Sequence, residues 1–240
     1  MNIPTFLNRL LGILYVPKCL GCGEILPEAD SVLCPFCQKR YGLLHHRKCR
    51  SCGCDLCTCD CTKEGVESHG VWRLSKLCAY LPYEKNSPFK RMLYAFKHNN
   101  NSDIRAQFAC EMTDMIRQRC PDYERYTICY VPRSLASYKK YGYDHMRELS
   151  LVIADKLGIG CETFFYREKK ARVQKELGRA ARLYNAQQSI MLKDTTDAID
   201  RRFILLDDVC VTGASLGRCA TLLINEGARE VRCFVIAVRP

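Results

Sequence analysis

The chain has 240 residues, enough for one large domain or for two. Hydrophobic residues make up 48% and charged residues 26% of it, the ordinary balance of a soluble globular protein. The formal net charge of +11 is less ordinary and indicates a polyanionic partner, either nucleic acid or a phosphorylated small molecule. Charge does not choose between these two, and a basic surface can also serve solubility alone.

The apolar opening segment, MNIPTFLNRLLGILYVP, predicts neither a secretory signal nor a membrane span. An arginine interrupts its apolar run and no small-residue cleavage site follows, so we expect a cytoplasmic protein. The run is also too short to cross a bilayer. Phe6, Leu10, Ile13 and Leu14 share roughly one helical face, which predicts a short helix packed on the body of the protein.

Cysteines are concentrated near the start of the chain: 10 of the 18 lie between Cys19 and Cys61. In a cytosolic chain such a cluster is more often a metal site than a disulfide framework. Three Cys-x-x-Cys pairs occur here, and two intervening residues let both thiolates reach one tetrahedral zinc ion from a tight turn. The first two pairs predict a complete four-cysteine zinc site: Cys19, Cys22, Cys34 and Cys37.

A second zinc site is predicted around the third pair, Cys49 and Cys52. The segment CDLCTCDC offers four further cysteines: Cys54, Cys57, Cys59 and Cys61. We favour Cys57 with Cys61 or Cys59, because Cys54 lies too near the pair to close a useful loop. Consecutive and interleaved pairing of the turns are both open. The zinc ions would stabilise a region with too few apolar residues for a core of its own.

From about Val71 the sequence alternates between helical and strand patterns. Helices are predicted from Pro88 with Ser87 as cap, from Ser102, over residues 144–158 up to a stop at Gly158, and from Ala214 to Gly227. Strands are predicted within YTICYVP (126–132), FILL (203–206) and VRCFVIAV (231–238). This alternation predicts an α/β domain with a parallel or mixed sheet flanked by helices. A polar stretch near residues 62–72 separates it from the cysteine-rich region.

The stretch FILLDDVCVTGAS, residues 203–215, places two acids after a buried strand and a small-residue loop before a helix. Free N–H groups and the positive end of the helix dipole at such a loop favour a phosphate. Thr212 and Ser215 add hydroxyl donors, while Asp207 and Asp208 suit ribose hydroxyls, with or without Mg²⁺. The order predicts a ribose 5-phosphate site. The alternative is a strand end that carries solvated acids and a helix cap.

The same stretch resembles the phosphoribosyl-diphosphate (PRPP) signature of type I phosphoribosyltransferases, with Val211 where the commonest versions have threonine. The resemblance implies that Asp207 and Asp208 are the catalytic-site acids that contact the ribose hydroxyls. It also implies a loop that wraps the 5-phosphate: Val211, Thr212, Gly213, Ala214 and Ser215.

Cysteine pairs ahead of such a domain resemble the ComF family of competence-associated proteins, in which a double zinc ribbon precedes a type I phosphoribosyltransferase-like domain. The resemblance covers nearly the whole chain. Supporting motifs are YVPRS at 130–134, YGYDH at 141–145 and a pattern carried by Gln174, Leu177, Arg182 and Asn185. The implied organisation is a double zinc ribbon with a short N-terminal helix over residues 1–68 and a phosphoribosyltransferase-like domain over residues 69–240.

The pyrophosphate side departs from the family pattern. Members usually show Arg-Gly-Phe-Asn-Gln where this chain has YGYDH, so the arginine is replaced by Tyr141. Lys139 and Lys140 precede it and can supply charge, although a lysine does not reproduce bidentate arginine–phosphate geometry. In type I enzymes the loop after the first core strand meets the pyrophosphate, which makes Arg133, Lys139 and Lys140 the candidates here. The alternative is a solvated basic loop.

The segment REKKARVQKELGRAAR contains seven basic residues between Arg167 and Arg182, against two glutamates. A basic hood over the site would neutralise pyrophosphate and exclude water. The same charges would also suit a nucleic-acid backbone, with Tyr166 and Tyr184 stacking on bases.

We expect a ComF-type protein that binds PRPP or a related nucleotide and assists DNA uptake in natural transformation by handling single-stranded DNA. Competence-machinery proteins are further expected partners. Two zinc ions, and Mg²⁺ with PRPP, are the expected cofactors. The alternatives are an active phosphoribosyltransferase with an unknown acceptor base, and a non-catalytic nucleic-acid or protein interaction module.

Overall fold

The computed structural model describes residues 16–26, 31–45, 75–82, 88–168, 189–194 and 197–238. The predicted N-terminal helix, the Ser87 cap and most of the basic segment after Arg167 lie outside these residues.

The described helices are α1 (Pro35–His45), α2 (Pro88–His98), α3 (Ser102–Arg119), α4 (Leu135–Tyr141), α5 (His145–Leu157) and α6 (Ala214–Asn225). The described strands are β1 (Ser75–Pro82), β2 (Thr127–Tyr130), β3 (Phe165–Arg167), β4 (Ile190–Leu192), β5 (Arg202–Cys210) and β6 (Glu230–Val238). A single 3₁₀ turn, Tyr123–Arg125, precedes β2.

Four strands form one parallel sheet in the order β1-β6-β5-β2. Strands β3 and β4 pair separately as a short antiparallel ribbon. A parallel sheet carries helices on both faces, so its central strands are apolar on both sides rather than alternating between apolar and polar. The predicted α/β class and flanked sheet are therefore confirmed.

Strand β5 shows how the two layers of the core are built. Ile204 and Leu206 are fully buried against the layer that contains α2, α3 and α5. Phe203 and Leu205 are fully buried on the opposite face, in the layer that contains α6. Successive strand side chains point to opposite faces, so one continuous apolar run serves both layers.

Two helix boundaries lie where they were predicted, at the start of α3 and at the end of α5. Helix α3 begins at Ser102, and the Asn101 side chain accepts hydrogen bonds from the N–H groups of Asp103 and Ile104. Helix α5 ends at Leu157 because Gly158 adopts the left-handed conformation, with φ of 68°. Each helix buries one apolar face, which carries the following side chains: Ile104, Phe108, Met112, Met115 and Ile116 in α3; Met146, Leu149, Ile153 and Leu157 in α5.

The predicted end of strand β5 was wrong, and four segments without a predicted helix or strand contain one. Strand β5 does not end at Leu206 but continues to Cys210, so both acids lie within the strand. Its pairing with β6 continues through Val209 and Cys210, which keeps the strand extended past the acids. The strand β1, the helices α1 and α4 and the β3–β4 ribbon were not predicted.

The cysteine-bearing region packs directly on the α/β body. Tyr41 of α1 lies with its ring centroid 6.5 Å from that of Phe89 in α2. Its hydroxyl donates a 2.7 Å hydrogen bond to Glu111 of α3. The buried side chains of α1 thus belong to the same apolar cluster as those of α2 and α3.

Candidate functional site

The two adjacent acids of β5 lie near its carboxyl end and have different surroundings. Asp208 is 8% exposed, and its Oδ2 lies 2.8 Å from the Nζ of Lys97 and 2.6 Å from the Nε2 of His145. These partners come from the end of α2 and the start of α5. The Oδ1 of Asp207 accepts a 2.9 Å hydrogen bond from the Asp208 N–H. Successive strand side chains point to opposite faces, so the two carboxyls have different hydrogen-bond partners.

The surroundings drive the pKa values of the two carboxyls apart. Burial raises the pKa of Asp208, but Lys97 and His145 outweigh burial and hold that pKa well below its usual range. Burial and the neighbouring Asp208 charge raise the pKa of Asp207 to about 7, against the opposing effects of the Asp208 N–H, Lys97 and Arg167. Asp208 is therefore an ionised partner of Lys97, whereas Asp207 exchanges a proton near neutral pH.

The loop after β5 ends at Gly213, which is the N-cap residue of α6. Gly213 has φ of 70° and ψ of −1°, in the left-handed region that side-chain-bearing residues disfavour. The Gly217 N–H donates to the Gly213 carbonyl at 2.7 Å, so the helix begins immediately. The first N–H groups of a helix have no acceptor within it and favour an anion. Val211 is exposed, and Ala214 is buried at the helix start.

Arg167, the last residue of β3, joins the loops around the acids. Its Nε donates to the Pro132 carbonyl at 2.8 Å, and its Nη2 donates to the Ser215 hydroxyl at 3.1 Å. Its Nη1 lies 3.3 Å from the Ser189 hydroxyl, next to β4. One guanidinium thus connects the loop after β2, the start of α6 and Ser189 just before β4. In the sequence, Arg167 is only the first of seven basic residues in its segment, and nothing there indicates these three contacts.

Arg133 lies in the loop after β2, and the fold uses its guanidinium to connect two other elements. It donates to the Lys97 carbonyl at 2.7 Å and to the Tyr143 carbonyl at 3.1 Å. It also lies over the rings of Tyr141 and Tyr143, 4.7 and 5.1 Å from their centroids. Lys139 and Lys140 lie exposed on α4. The contact of these three cations with pyrophosphate stays a prediction.

Two residues at the site were missed by the sequence analysis as site residues. His145 stands inside the quoted YGYDH motif but received no role. Lys97 carried no sequence signal at all, because α2 and β5 meet only in the folded protein. Both contact Asp208, so the acid pair is part of a larger charged cluster than its motif indicates.

The four cysteines of the first two Cys-x-x-Cys pairs lie close together in the cysteine-bearing region, as predicted. The sulfur atoms of Cys19, Cys22, Cys34 and Cys37 all lie within 4.8 Å of one another. The Cys22 and Cys34 sulfurs are 3.7 Å apart. Tetrahedral coordination with zinc–sulfur bonds of about 2.3 Å requires sulfur–sulfur distances of about 3.8 Å. The donor set and its spacing fit one zinc-type site.

The first turn of this site also stabilises a thiolate. Burial raises the pKa of Cys19, but N–H groups of Cys34, Cys22 and Gly21 outweigh burial and lower that pKa to about 6. Burial and the neighbouring thiols raise the pKa of Cys37. Four thiols this close are deprotonated together only around a cation, which is the chemistry a bound metal supplies. The predicted second set, Cys49, Cys52, Cys57 and Cys61, lies outside the described residues.

No helix within the described ranges has the length and apolar character needed to cross a membrane.

Comparisons with known proteins agree with this organisation. Residues 148–240 match the model of the phosphoribosyl transferase domain family. The chain is 26% identical over 237 residues to competence protein ComFC of Streptococcus pneumoniae, a match that covers 90% of this chain and 98% of that protein.

Two solved structures show a weaker similarity to parts of the chain. An allosteric regulatory enzyme of purine biosynthesis matches 60% of this chain and 30% of its own length, with 18% identity and a TM-score of 0.39. The purine phosphoribosyltransferase of Pyrococcus horikoshii matches 57% of this chain and 74% of its own, with 20% identity and a TM-score of 0.35.

The domain match covers residues 148–240, and the similarity to ComFC spans nearly the whole chain. The chain is therefore similar to a competence protein, with a match to the phosphoribosyl transferase domain in its α/β body and a four-cysteine group ahead of that body.

Proposed function

We propose that the protein binds PRPP or a related nucleotide at the carboxyl end of β5. The observation that supports this most is the convergence of Asp207, Arg167 and the start of α6, with Arg167 donating to Ser215. The 5-phosphate would meet the N–H groups after Gly213 and the hydroxyls of Thr212 and Ser215. Asp207 would accept from the ribose hydroxyls, with Mg²⁺ as a bridging cation where PRPP is the ligand.

Asp208 has a different role in this proposal from its neighbour. Its carboxylate is already shared by Lys97 and His145, so it positions those two side chains. Direct contact with ribose requires that the ligand or its cation replace Lys97. The released Lys97 would then join Arg133, Lys139 and Lys140 as a cation for the pyrophosphate.

In the cell, the protein would act in the cytoplasm and assist DNA uptake during natural transformation by handling single-stranded DNA. The name of the Streptococcus pneumoniae relative and the net charge of +11 support this role. The basic segment after Arg167 would contact the DNA backbone, and competence-machinery proteins would be further partners. Zinc would occupy the four-cysteine site, with a second zinc ion held within residues 49–61.

Calorimetric titration with Mg²⁺–PRPP tests the ligand. We expect saturable binding by the wild type and its loss in Asp207→Ala with Asp208→Ala. Because Asp208→Ala also removes the partner of Lys97, Thr212→Ala with Ser215→Ala provides a second variant that keeps the cluster intact. Asp114→Ala with Asp155→Ala, which changes two exposed helical acids, is the charge-matched control. Absence of binding by the wild type would refute the proposed ligand.

A salt titration tests the DNA contact. Neutralising Lys169, Lys170 and Arg172 should reduce the slope of log affinity for single-stranded DNA against log salt by about 2, since each lost phosphate contact contributes about 0.7. Neutralising the exposed Lys156 and Lys193 should leave the slope unchanged. Equal slopes in the wild type and the triple variant would remove this segment from the DNA interface.

An active phosphoribosyltransferase is the second candidate, and the pKa of about 7 at Asp207 favours it, because such a carboxyl gives or takes a proton at neutral pH. The acceptor nucleophile would bond to ribose C1 as the C1–oxygen bond breaks and pyrophosphate leaves with the electron pair. The proton of the acceptor would pass to a base. Pyrophosphate release in a screen of acceptor bases separates this activity from binding alone.

A further inference from the structure

A cavity lies at the amino-terminal edge of the parallel sheet, where β2, β5 and β6 begin. Its volume is about 380 Å³. Six residues line it, and four of them are arginines: Arg125, Thr127, Asp200, Arg201, Arg202 and Arg229.

This cavity is separate from the candidate ribose 5-phosphate site. Arg202 opens β5, and Asp208 lies six residues further along the same strand. At about 3.3 Å per residue the two ends are about 20 Å apart, so one small ligand does not reach both. None of the site residues described above lines the cavity.

Two of the four arginines are held rigidly by the fold. Arg201 pairs with Glu162, donates to the Thr127 hydroxyl at 3.0 Å, and lies over the rings of Phe164 and Phe203. Arg202 donates to Asp122 at 3.1 Å. Guanidinium groups fixed in this way lose little freedom when a ligand binds.

The other two arginines retain donors for a ligand. The guanidinium of Arg125 makes no ion pair with any residue in the described part of the chain. Among the described residues, Arg229 forms an ion pair with Asp200 at 3.8 Å, and these side chains are 59% and 79% exposed. An exposed pair at that distance contributes little and is easily replaced by a better anion.

Backbone hydrogen bonds fix the side of the cavity that contains Asp200 and Arg229. Asp200 has φ of 57°, a left-handed conformation that is uncommon for a residue other than glycine. The surrounding turn holds it there, since the Asp200 N–H donates to the Gly227 carbonyl and the Arg229 N–H donates to the Arg201 carbonyl at 2.8 Å. These hydrogen bonds keep Asp200 and Arg229 in fixed backbone positions at the cavity.

We propose that this cavity binds the dianionic phosphate of a phosphomonoester, with Arg125 and Arg229 as its direct ligands. The planar guanidinium presents paired donors that match phosphate oxygens, and two such groups balance the charge of a dianion. The cavity volume falls in the range of small-ligand sites. The phosphate can come from a free nucleotide or from the 5′ end of a nucleic acid, because both present the same group.

Arginine side-chain NMR on the full ¹⁵N-labelled protein tests the site, with inorganic phosphate as the probe and sodium chloride at equal ionic strength as the blank. We expect saturable shifts of the Nε–H signals of Arg125 and Arg229. Arg125→Gln with Arg229→Gln should weaken phosphate binding at this edge at least tenfold. Arg117→Gln with Arg147→Gln makes the same charge change on exposed helical positions and should leave binding unchanged. Shifts that do not saturate, or that are equal at Arg117 and Arg147, would overturn the proposal.

Three ligands then separate the two sources of the phosphate. Saturable shifts with AMP assign the site to a free nucleotide, and shifts with a 5′-phosphorylated trinucleotide but not with AMP assign it to a chain end. Equal affinity for the same trinucleotide without its 5′-phosphate would contradict a phosphomonoester site. The Asp207→Asn variant should show the same Arg125 and Arg229 shifts as the wild type, which keeps this test independent of the proposed PRPP site.

Discussion

Replacing Asp207 with asparagine should stabilise the protein, and the gain should grow with pH. Asparagine keeps the shape of the side chain and the oxygen that accepts from the Asp208 N–H. It removes a charge that burial and Asp208 disfavour in the folded state, where the pKa of Asp207 is raised from 3.8 to about 7. The asparagine variant has no such charge, so its free energy of unfolding is not lowered by it.

The size of the gain follows from linkage. For an acid whose pKa is raised by folding, the folded state binds more protons than the unfolded state, so stability falls as the pH rises between the two values. The loss begins near the ordinary pKa of 3.8 and is complete just above about 7. A difference of about 3 units at 1.36 kcal/mol each sets an upper bound of about 4 kcal/mol. Relaxation around the charge reduces this value, and we expect a gain of at least about 1 kcal/mol at pH 8.

Urea unfolding at pH 5 and pH 8 measures the gain as the difference between variant and wild type at each pH. Asp208→Asn is the matched control and should change stability in the opposite direction. It leaves Lys97 and His145 without their carboxylate, a loss of about 2–3 kcal/mol. An Asp207→Asn variant that is less stable than the wild type at pH 8, or equally stabilised at both pH values, would refute the reasoning.

Three further predictions concern single positions. Gly213→Ala should lower the free energy of unfolding in urea by about 1–2 kcal/mol and weaken PRPP binding, because φ is 70° at this position. Gly42→Ala in α1, where an added Cβ meets open space, should instead raise the free energy of unfolding by up to about 1 kcal/mol. Cys37→Ser should remove one equivalent of zinc by elemental analysis, whereas Cys110→Ser should keep the full content. Lys97→Met should destabilise by about 2 kcal/mol at pH 8, because the buried Asp208 carboxylate loses the cation that holds its pKa low. The loss should be no larger at pH 5, since the pKa of Asp208 rises once Lys97 is removed. Lys90→Met on the exposed face of α2 should leave the stability unchanged.

Local patterns predicted the parts of this fold that depend on local interactions. The spacing of the first four cysteines predicted their convergence, since two residues between ligands define a turn that the chain makes by itself. The start of α3 at Ser102 and the end of α5 before Gly158 were predicted for the same reason. The end of β5 was not, because the strand continues past Leu206 through its pairing with β6, which is distant in sequence. Polar residues inside a strand look like a loop until the partner strand is known.

The charged cluster around Asp208 shows the same limit at the candidate site. Lys97 and Asp208 are more than a hundred positions apart, and neither the end of α2 nor the motif of β5 indicates the other. The sequence therefore predicted two equivalent acids. In the fold, strand alternation points them to different faces, and only Asp208 meets the helices that carry Lys97 and His145.

This asymmetry explains how two adjacent acids, one buried and one half-buried, can coexist with an anionic ligand. Two ionised aspartates beside a phosphate would repel it, and the pair would need an equal number of compensating cations. Lys97 already compensates Asp208, and the raised pKa of Asp207 leaves it partly protonated at neutral pH without a ligand. Arg133 and Arg167 lie in the loops around them with their positive charges in place before any ligand arrives. The carboxyl edge of β5 is therefore closer to neutral or positive than its sequence of two aspartates indicates, which is the condition that phosphate binding requires.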